Sequence, residues 1–498
     1  MKNYLKYLAV LSLGIVSCEP EFEQSVKDGD FYNMGSADFS NYVALGNSLT
    51  AGFADNALYI ESQTYSYPNI VAQQFSFAGG GEFTQPLMAD NLGGMIIAEN
   101  IQLQTRLVLS VDENGNPAPK PLAGEPTTRM TDVLEGPFNN MGVPGALSFH
   151  LLAPNYGNPT GVLQGTANPY FVRFASSPEA TILEDAMAQN PTFFSLWIGN
   201  NDVLGFATSG GVNPAAITPV PKFQGAYSAI VSGMLSTGAK GILINIPDVA
   251  STAFFTTVPV NPVPLDAQTA AALNANFAAY NEQILPGLVQ AGAITAAEAD
   301  LRKIQFSASE SNYLTIHDQA LTDISGILQG PPFNLDPQTA MLLGQLRQTK
   351  DDDLIVLTAS SFIGTTVNGN PMLINGVSVP LSDQYVLTTA EQELIATATT
   401  AYNDIILGLA ETNGLAFLDA NAMLDELAST GISYDAGIMT SEFATGGAFS
   451  LDGIHLTPRG YAYVANQIIL EINQTYGSKV PTVNIGNYRT IAVSNNVE

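Results

Sequence analysis

Only three histidines occur in the 498 residues, His150, His317 and His455. One has a carboxylate three residues before it, in Asp452-Gly453-Ile454-His455, with a glycine between them that permits a tight turn. If this stretch turns as a helix does, positions i and i+3 share a face and the carboxylate reaches one imidazole nitrogen. The other nitrogen is then free to take a proton, which a serine hydroxyl must lose before it can attack a carbonyl. A serine in a suitable place stands far upstream, in Leu45-Gly46-Asn47-Ser48-Leu49-Thr50-Ala51-Gly52. It follows the apolar run 42–45, and a strand-to-helix turn there exposes its hydroxyl at the edge of a parallel sheet. Acyl chemistry on these residues would have Ser48 attack, His455 move the proton, and Asp452 hold the tautomer and stabilise the imidazolium. Taken singly, each has an ordinary reading as well. Gly-x-Ser turns are common punctuation, and an isolated His455 would be a hydrogen-bonded surface histidine.

The other two histidines lack such company. His150 follows Ser148-Phe149 beside Leu151 and Leu152, and reads as a packing or pocket-lining residue. His317 has Asp318 next to it but no nucleophile motif, and reads as structural. Thr457-Pro458 is an N-cap followed by proline at the first helical position. It predicts a helix over 459–473 that packs through Tyr461, Val464, Ile468 and Ile469 and leaves His455 in the loop before it.

These residues need a scaffold that brings them together. Four short apolar runs, 42–45, 193–198, 241–246 and 415–418, read as buried parallel strands with helical patterns between them. A fifth strand is expected shortly before Asn140. Alternating strands and helices imply an α/β fold, a flavodoxin-like α/β/α sandwich with a five-stranded parallel sheet in the order 2-1-3-4-5. Two stretches exceed that plan, at about 76–136 and 251–384. The first is rich in glycine and proline, with a hairpin expected around Asn114-Gly115. The second begins with helical patterns at 266–290 and 295–305 and continues with turn signals at Asn368-Gly369 and Asn375-Gly376. Such excursions serve either as a lid or binding wall or as structural cover for a sheet edge.

Two more blocks, Gly142-Val143-Pro144-Gly145 and Gly199-Asn200-Asn201-Asp202, lie between the serine and the Asp-x-x-His pair. Together the four blocks resemble the SGNH (GDSL) hydrolase superfamily of esterases and lipases, over roughly 39–471. The resemblance implies Ser48 as nucleophile, Asp452 and His455 as its partners, and an oxyanion hole from the backbone N–H groups of Ser48 and Gly145 and the side-chain amide of Asn201. It also implies the sheet order above and no cofactor. Read without the family, Gly142 and Gly145 are equally turn glycines, and Asn200-Asn201-Asp202 is a capping turn. One position departs from the family, which carries aspartate where this chain has Asn47.

Composition sets the outer limits. Hydrophobic residues make up 46% of the chain, which argues for a globular fold. With 16 basic and 45 acidic residues the formal charge is −29, a surface that repels nucleic-acid phosphates. There is no histidine cluster and no cysteine pair for zinc. Asp351-Asp352-Asp353 reads as a solvated acidic turn rather than a calcium site.

Lys2 and Lys6 followed by the apolar run 7–16 read as a targeting segment, too short to span a bilayer. The run ends at Ile15-Val16-Ser17-Cys18, which looks like a lipobox cleaved before the cysteine, the only one in the chain. The expected organisation is a lipoprotein signal peptide at 1–17, an acidic tether at 18–38, the hydrolase-like domain at 39–480 and a C-terminal tail at 481–498. Lipidated Cys18 would carry several acyl chains and anchor the protein durably. Glu19, Glu21 and Glu23 resemble the export signal of surface-exposed lipoproteins of the Bacteroidetes type, which implies the outer membrane of the cell envelope.

The expectation is thus a membrane-anchored serine ester hydrolase acting on acyl esters of a lipid or an acylated glycan. A rival from another class is a non-catalytic surface lipoprotein that binds lipid or glycan on the same scaffold. The apolar segments 75–77 and 253–255 lean toward an acyl chain over a bare acetyl group, or are ordinary core.

Overall fold

The computed structural model describes residues 31–111, 115–370 and 372–498. The signal peptide, Cys18 and the start of the tether lie outside the described residues, as do three of the four residues of the expected turn at Asp112-Glu113-Asn114-Gly115.

We number the sheet strands β1 (Tyr42–Gly46), β2 (Asn140–Gly142), β3 (Phe193–Trp197), β4 (Lys240–Ile244) and β5 (Ala416–Leu418). They form one all-parallel sheet in the order β2-β1-β3-β4-β5. Shorter hairpins intervene in the chain, so these are not its first five strands; Leu107–Val111 pairs with Pro117–Pro121 in one of them. The second strand is Asn140–Gly142 itself, not the stretch before it. Only three residues pair there, too few to give a readable apolar run.

Continuous apolar runs become strands here because both faces of a parallel sheet are covered. Val43, Leu45, Phe194, Leu196 and Leu243 point into one core layer, while Tyr42, Ala44, Phe193, Trp197 and Ile244 point into the other. On the first face lie α3 (Asn201–Thr208), α4 (Val220–Ser236) and α5 (Thr389–Asn413), through Phe206, Phe223, Tyr227, Tyr402 and Ile406. On the second lie α2 (Tyr67–Phe75), α6 (Ala420–Ser429) and α7 (Pro458–Tyr476). Helix α7 buries Tyr461, Val464, Ile468 and Ile469, the stripe its sequence predicts, and Thr457 Oγ1 caps it by accepting the Gly460 N–H. One further helix, the single turn α1 (Ser48–Ala51), follows β1 directly.

The second excursion is built into the first of these layers, whereas Met88, Met95, Ile97 and Met130 of the first form a smaller cluster with Ala51, Leu58 and Val172. Residues of the second, from Phe254 to Leu381, belong to the same hydrophobic core as β1, β3 and β4. Its helical part runs as Ala267–Ala279, a π-turn at Tyr280–Ile284, Leu285–Gln290 and Ala296–Leu301. The turn at Asn368-Gly369 forms with both residues at positive φ, but its ladder is reduced to one bridge between Thr366 and Ile374. The run Asp351-Asp352-Asp353 is not a fully solvated turn. Asp353 is buried and accepts two hydrogen bonds from the Arg347 guanidinium, at 2.6 and 2.9 Å. A lone arginine inside a core must be compensated, and Asp353 and Asp318 supply that charge.

The segment 481–498 runs beside the first excursion, with Val493 bridging Leu109 and Val497 bridging Leu122. Among the described residues no helix is long and apolar enough to cross a membrane.

Candidate active site

Strand register decides what meets at the sheet edge. Gly46 at the end of β1 pairs with Gly142 of β2 on one side and with Trp197 of β3 on the other. The chain therefore leaves all three strands at one level, and Ser48, Gly145 and Asn201 follow within two to four residues. A side chain at Gly142 would collide with the backbone of α1, its Cβ falling 2.3 Å from the Ala51 nitrogen. Glycine there lets α1 sit directly against β2.

Asn47 and Ser48 open α1 in a bend. The Asn47 side chain is buried and accepts the Leu49 N–H at 3.0 Å, while its amide nitrogen lies 3.2 Å from Asn200 Oδ1. An amide supplies both the acceptor and the donor for this position, whereas a carboxylate supplies only acceptors. The Asn47 side chain thus ties the turn after β1 to the segment after β3.

From the far end of the chain, His455 brings Nε2 to 2.8 Å from Ser48 Oγ. Its Nδ1 lies 3.0 Å from Asp452 Oδ2. With the ring proton on Nδ1 and donated to Asp452, Nε2 is left to accept the Ser48 hydroxyl. The Asp452–His455 segment is not a helical turn, contrary to the geometry assumed from sequence. Asp452 Oδ1 accepts the backbone N–H groups of Ile454 and His455, at 2.9 and 2.8 Å, closing an Asx turn that aims the imidazole. Its Oδ2 also accepts the Asn56 N–H at 2.8 Å. Burial raises the Asp452 carboxyl, but the charge of His455 and these hydrogen bonds outweigh it, and the group titrates well below the usual carboxylate range.

A second acid holds the two loops together. Asp55 Oδ1 accepts the Leu451 N–H at 3.1 Å, its Oδ2 accepts the Tyr59 hydroxyl at 2.7 Å, and the Asp55 N–H donates to Ser450 Oγ at 2.9 Å. Asp55 and Asn56 both have positive φ. The loop after α1 is thereby stapled to the loop that carries Asp452. Phe53 in the same loop packs its ring 4.7 Å from that of His455.

Gly145 and Asn201 sit on the neighbouring segments. Gly145, at φ +81°, lies in a loop tied down at both ends. Asn168 Nδ2 donates to Pro144 O at 2.8 Å, and Asn201 Nδ2 donates to Ala146 O at 2.9 Å. That bond uses one of the two amide hydrogens of Asn201 and leaves the other available. No carbonyl or side chain among the described residues takes the N–H of Ser48 or of Gly145. Asn200 makes no side-chain cap for α3. Asp202, in its first turn, is fully buried and reaches across to Ser148.

The remaining histidines are elsewhere. His150 stacks on Tyr156 with ring centres 4.5 Å apart, and its Nδ1 accepts the Leu147 N–H at 3.1 Å. Burial, with Lys222 nearby, pushes its pKa down to about 4. His317 ends the strand Thr315–His317 in the second excursion. Among the described residues no three His, Cys, Asp or Glu side chains gather as metal ligands would.

Sequence reasoning missed Asp55, Asn56 and Asn168, whose roles arise only from contacts with distant loops. It also missed the walls of the cavity at Ser48. Phe75 and Phe255 are core and Phe77 is exposed, and none of the three borders that cavity. Among the described residues none of 76–136 borders it, and of the second excursion, 251–384, Thr252 at its start alone does so.

No protein-family model matches this chain, and no curated protein matches it.

Proposed function

We propose that this protein is a serine ester hydrolase of the SGNH type. The single observation that carries the reading is the continuous line of hydrogen bonds from Ser48 Oγ through His455 to Asp452. His455 takes the hydroxyl proton as Ser48 Oγ bonds to the ester carbonyl carbon, and Asp452 stabilises the imidazolium that results. The carbonyl oxygen gains negative charge, which the N–H groups of Ser48 and Gly145 and the free hydrogen of Asn201 offset. His455 then returns the proton to the departing alcohol, leaving an acyl group on Ser48. Water, deprotonated by the same imidazole, releases the acid and restores the hydroxyl. None of these steps requires a cofactor.

The reading extends to location. Cys18, exposed by removal of 1–17, carries the acyl chains, and the tether holds the domain at the cell envelope, on the outer membrane. Its substrates are acyl esters of lipids or acylated glycans. Incorporation of a labelled fatty acid into the protein, lost in Cys18→Ser, tests the anchor.

The test of the chemistry is hydrolysis of p-nitrophenyl butyrate together with labelling by a fluorophosphonate probe. We expect both in the protein lacking residues 1–18 and neither in Ser48→Ala. A folded protein that neither reacts nor turns over is a binding protein instead.

A further inference from the structure

An apolar cavity borders Ser48, Asn201 and His455 and continues between the sheet edge and helices α6 and α7. Its empty space, open mouth included, is about 790 Å³. Its walls include Trp197, Met423, Leu427, Met439, Phe449 and Tyr463. The polar groups on these walls are mostly committed elsewhere. Trp197 Nε1 donates to Asn245 O at 3.0 Å, and the Thr252 hydroxyl donates to Val249 O at 2.9 Å. Beyond Ser48, Asn201 and His455, the Tyr463 hydroxyl and the Asn200 amide nitrogen are the side-chain donors on the described walls without such a commitment. A sugar ring in this space would therefore lose its hydrogen bonds to water and find few replacements. An alkyl chain loses none.

We propose that this cavity receives the acyl chain of the substrate, so that the preferred esters carry fatty acyl chains and not acetyl groups. The inference rests on the serine-hydrolase reading above and deepens it. Apolar wall left in contact with water is unfavourable, and a bound alkyl chain removes that contact. Two of the walls are methionines, Met423 and Met439, whose flexible thioethers adapt to chains of different length.

The experiment compares kcat/KM for p-nitrophenyl acetate, butyrate, octanoate and palmitate in the protein lacking residues 1–18, in Met423→Trp and in Leu427→Trp. Each buried methylene is worth about fourfold, so octanoate should exceed acetate by at least about tenfold even when part of the chain stays in water. Either tryptophan should lower the octanoate-to-acetate ratio about tenfold or more; because it is a ratio, partial loss of folded protein cancels. A parallel series of alkyl acetates asks whether the alcohol occupies the cavity instead. Saturable binding of a fluorescent fatty acid to Ser48→Ala, weakened in Ser48→Ala/Met423→Trp, reads the cavity without turnover. Ser48-dependent hydrolysis with a flat acyl profile, or with length dependence only in the alkyl acetates, overturns the inference and leaves the hydrolase reading standing. Fatty-acid binding without any turnover overturns the hydrolase reading and leaves the cavity assigned to a chain.

Discussion

Asp202 accepts both the N–H and the hydroxyl of Ser148, at 2.8 and 2.7 Å, from a fully buried position in the first turn of α3. One residue earlier, Asn201 holds Ala146 O. Two consecutive residues after β3 thus fasten the loop that carries Gly145, so the donors on the two segments keep a fixed spacing. Asp202→Ala strands both Ser148 donors in a dry site, at a cost of about 2–4 kcal/mol. We expect a lower melting temperature and a fall in kcat of about 10–100-fold with KM little changed, since misplaced donors weaken the transition state more than substrate binding. Asp202→Asn keeps one acceptor and should recover much of both. Thermal melts alongside p-nitrophenyl butyrate kinetics check this.

Asp452→Asn should be severe for a reason visible in the hydrogen bonds. Oδ1 of Asp452 accepts two backbone N–H groups, so the substituted amide must keep its oxygen there and turn its nitrogen toward His455 Nδ1. The amide then donates to Nδ1 and forces the ring proton onto Nε2, facing Ser48. In that tautomer His455 cannot take the hydroxyl proton. We expect kcat to fall by about 10³–10⁴-fold with the fold intact. A loss under tenfold in a correctly folded variant would show that Asp452 does not set the tautomer.

Asn201 has two jobs on one nitrogen, and a substitution that removes the amide removes both. Asn201→Ala removes both the loop tie and the free donor, and should reduce kcat by about 10²–10³-fold. Asn201→Asp keeps the size but places oxygens against Ala146 O and against the developing negative charge, so it should be at least as damaging. Fluorophosphonate labelling rates, read beside turnover, report whether Ser48 itself remains activated.

Stability should depend on pH through Asp383, which lies in the second excursion. Burial raises its carboxyl to about 7, with Glu391 and Asp318 adding to the rise and the Gln319 N–H and Arg347 opposing it. Its Oδ2 is buried without a hydrogen-bond partner. The folded value lies above the unfolded one near ~4, so between these the folded state holds the extra proton. Its contribution is therefore full below about pH 4 and is lost as pH rises through about 7. Asp383→Asn has no charge to bury and should be more stable than the parent at pH 8 by about 2–4 kcal/mol, with the difference shrinking toward pH 4. Urea melts at pH 5 and pH 8 measure it, and an equal gain at both would refute the assignment.

The sequence by itself determined the local pieces. Tyr42–Gly46 and, apart from the buried Ser195, Phe193–Trp197 carry no polar side chain but the Tyr42 hydroxyl and the Trp197 N–H, because both faces of their strands are buried. Helix α7 carries its stripe and its cap in consecutive residues, and Asp452 lies within a turn of His455. Each of these signals spans a few residues, where backbone geometry and a regular period make side-chain placement legible. The tertiary structure decided what those pieces meet. Ser48 and His455 are 407 residues apart. Their approach depends on which strands pair with β1, and on the staple from Asp55 to Leu451, which has no period to read. Asn47 meets Asn200 across 153 residues, and Asp353, one of three consecutive acids, is buried against Arg347, whose charge it compensates. The apolar cavity is assembled from α6, α7, the end of β3 and the loops around Phe449. No one of these segments differs in sequence from ordinary core, because an apolar residue reads the same whether another side chain or open space lies against it.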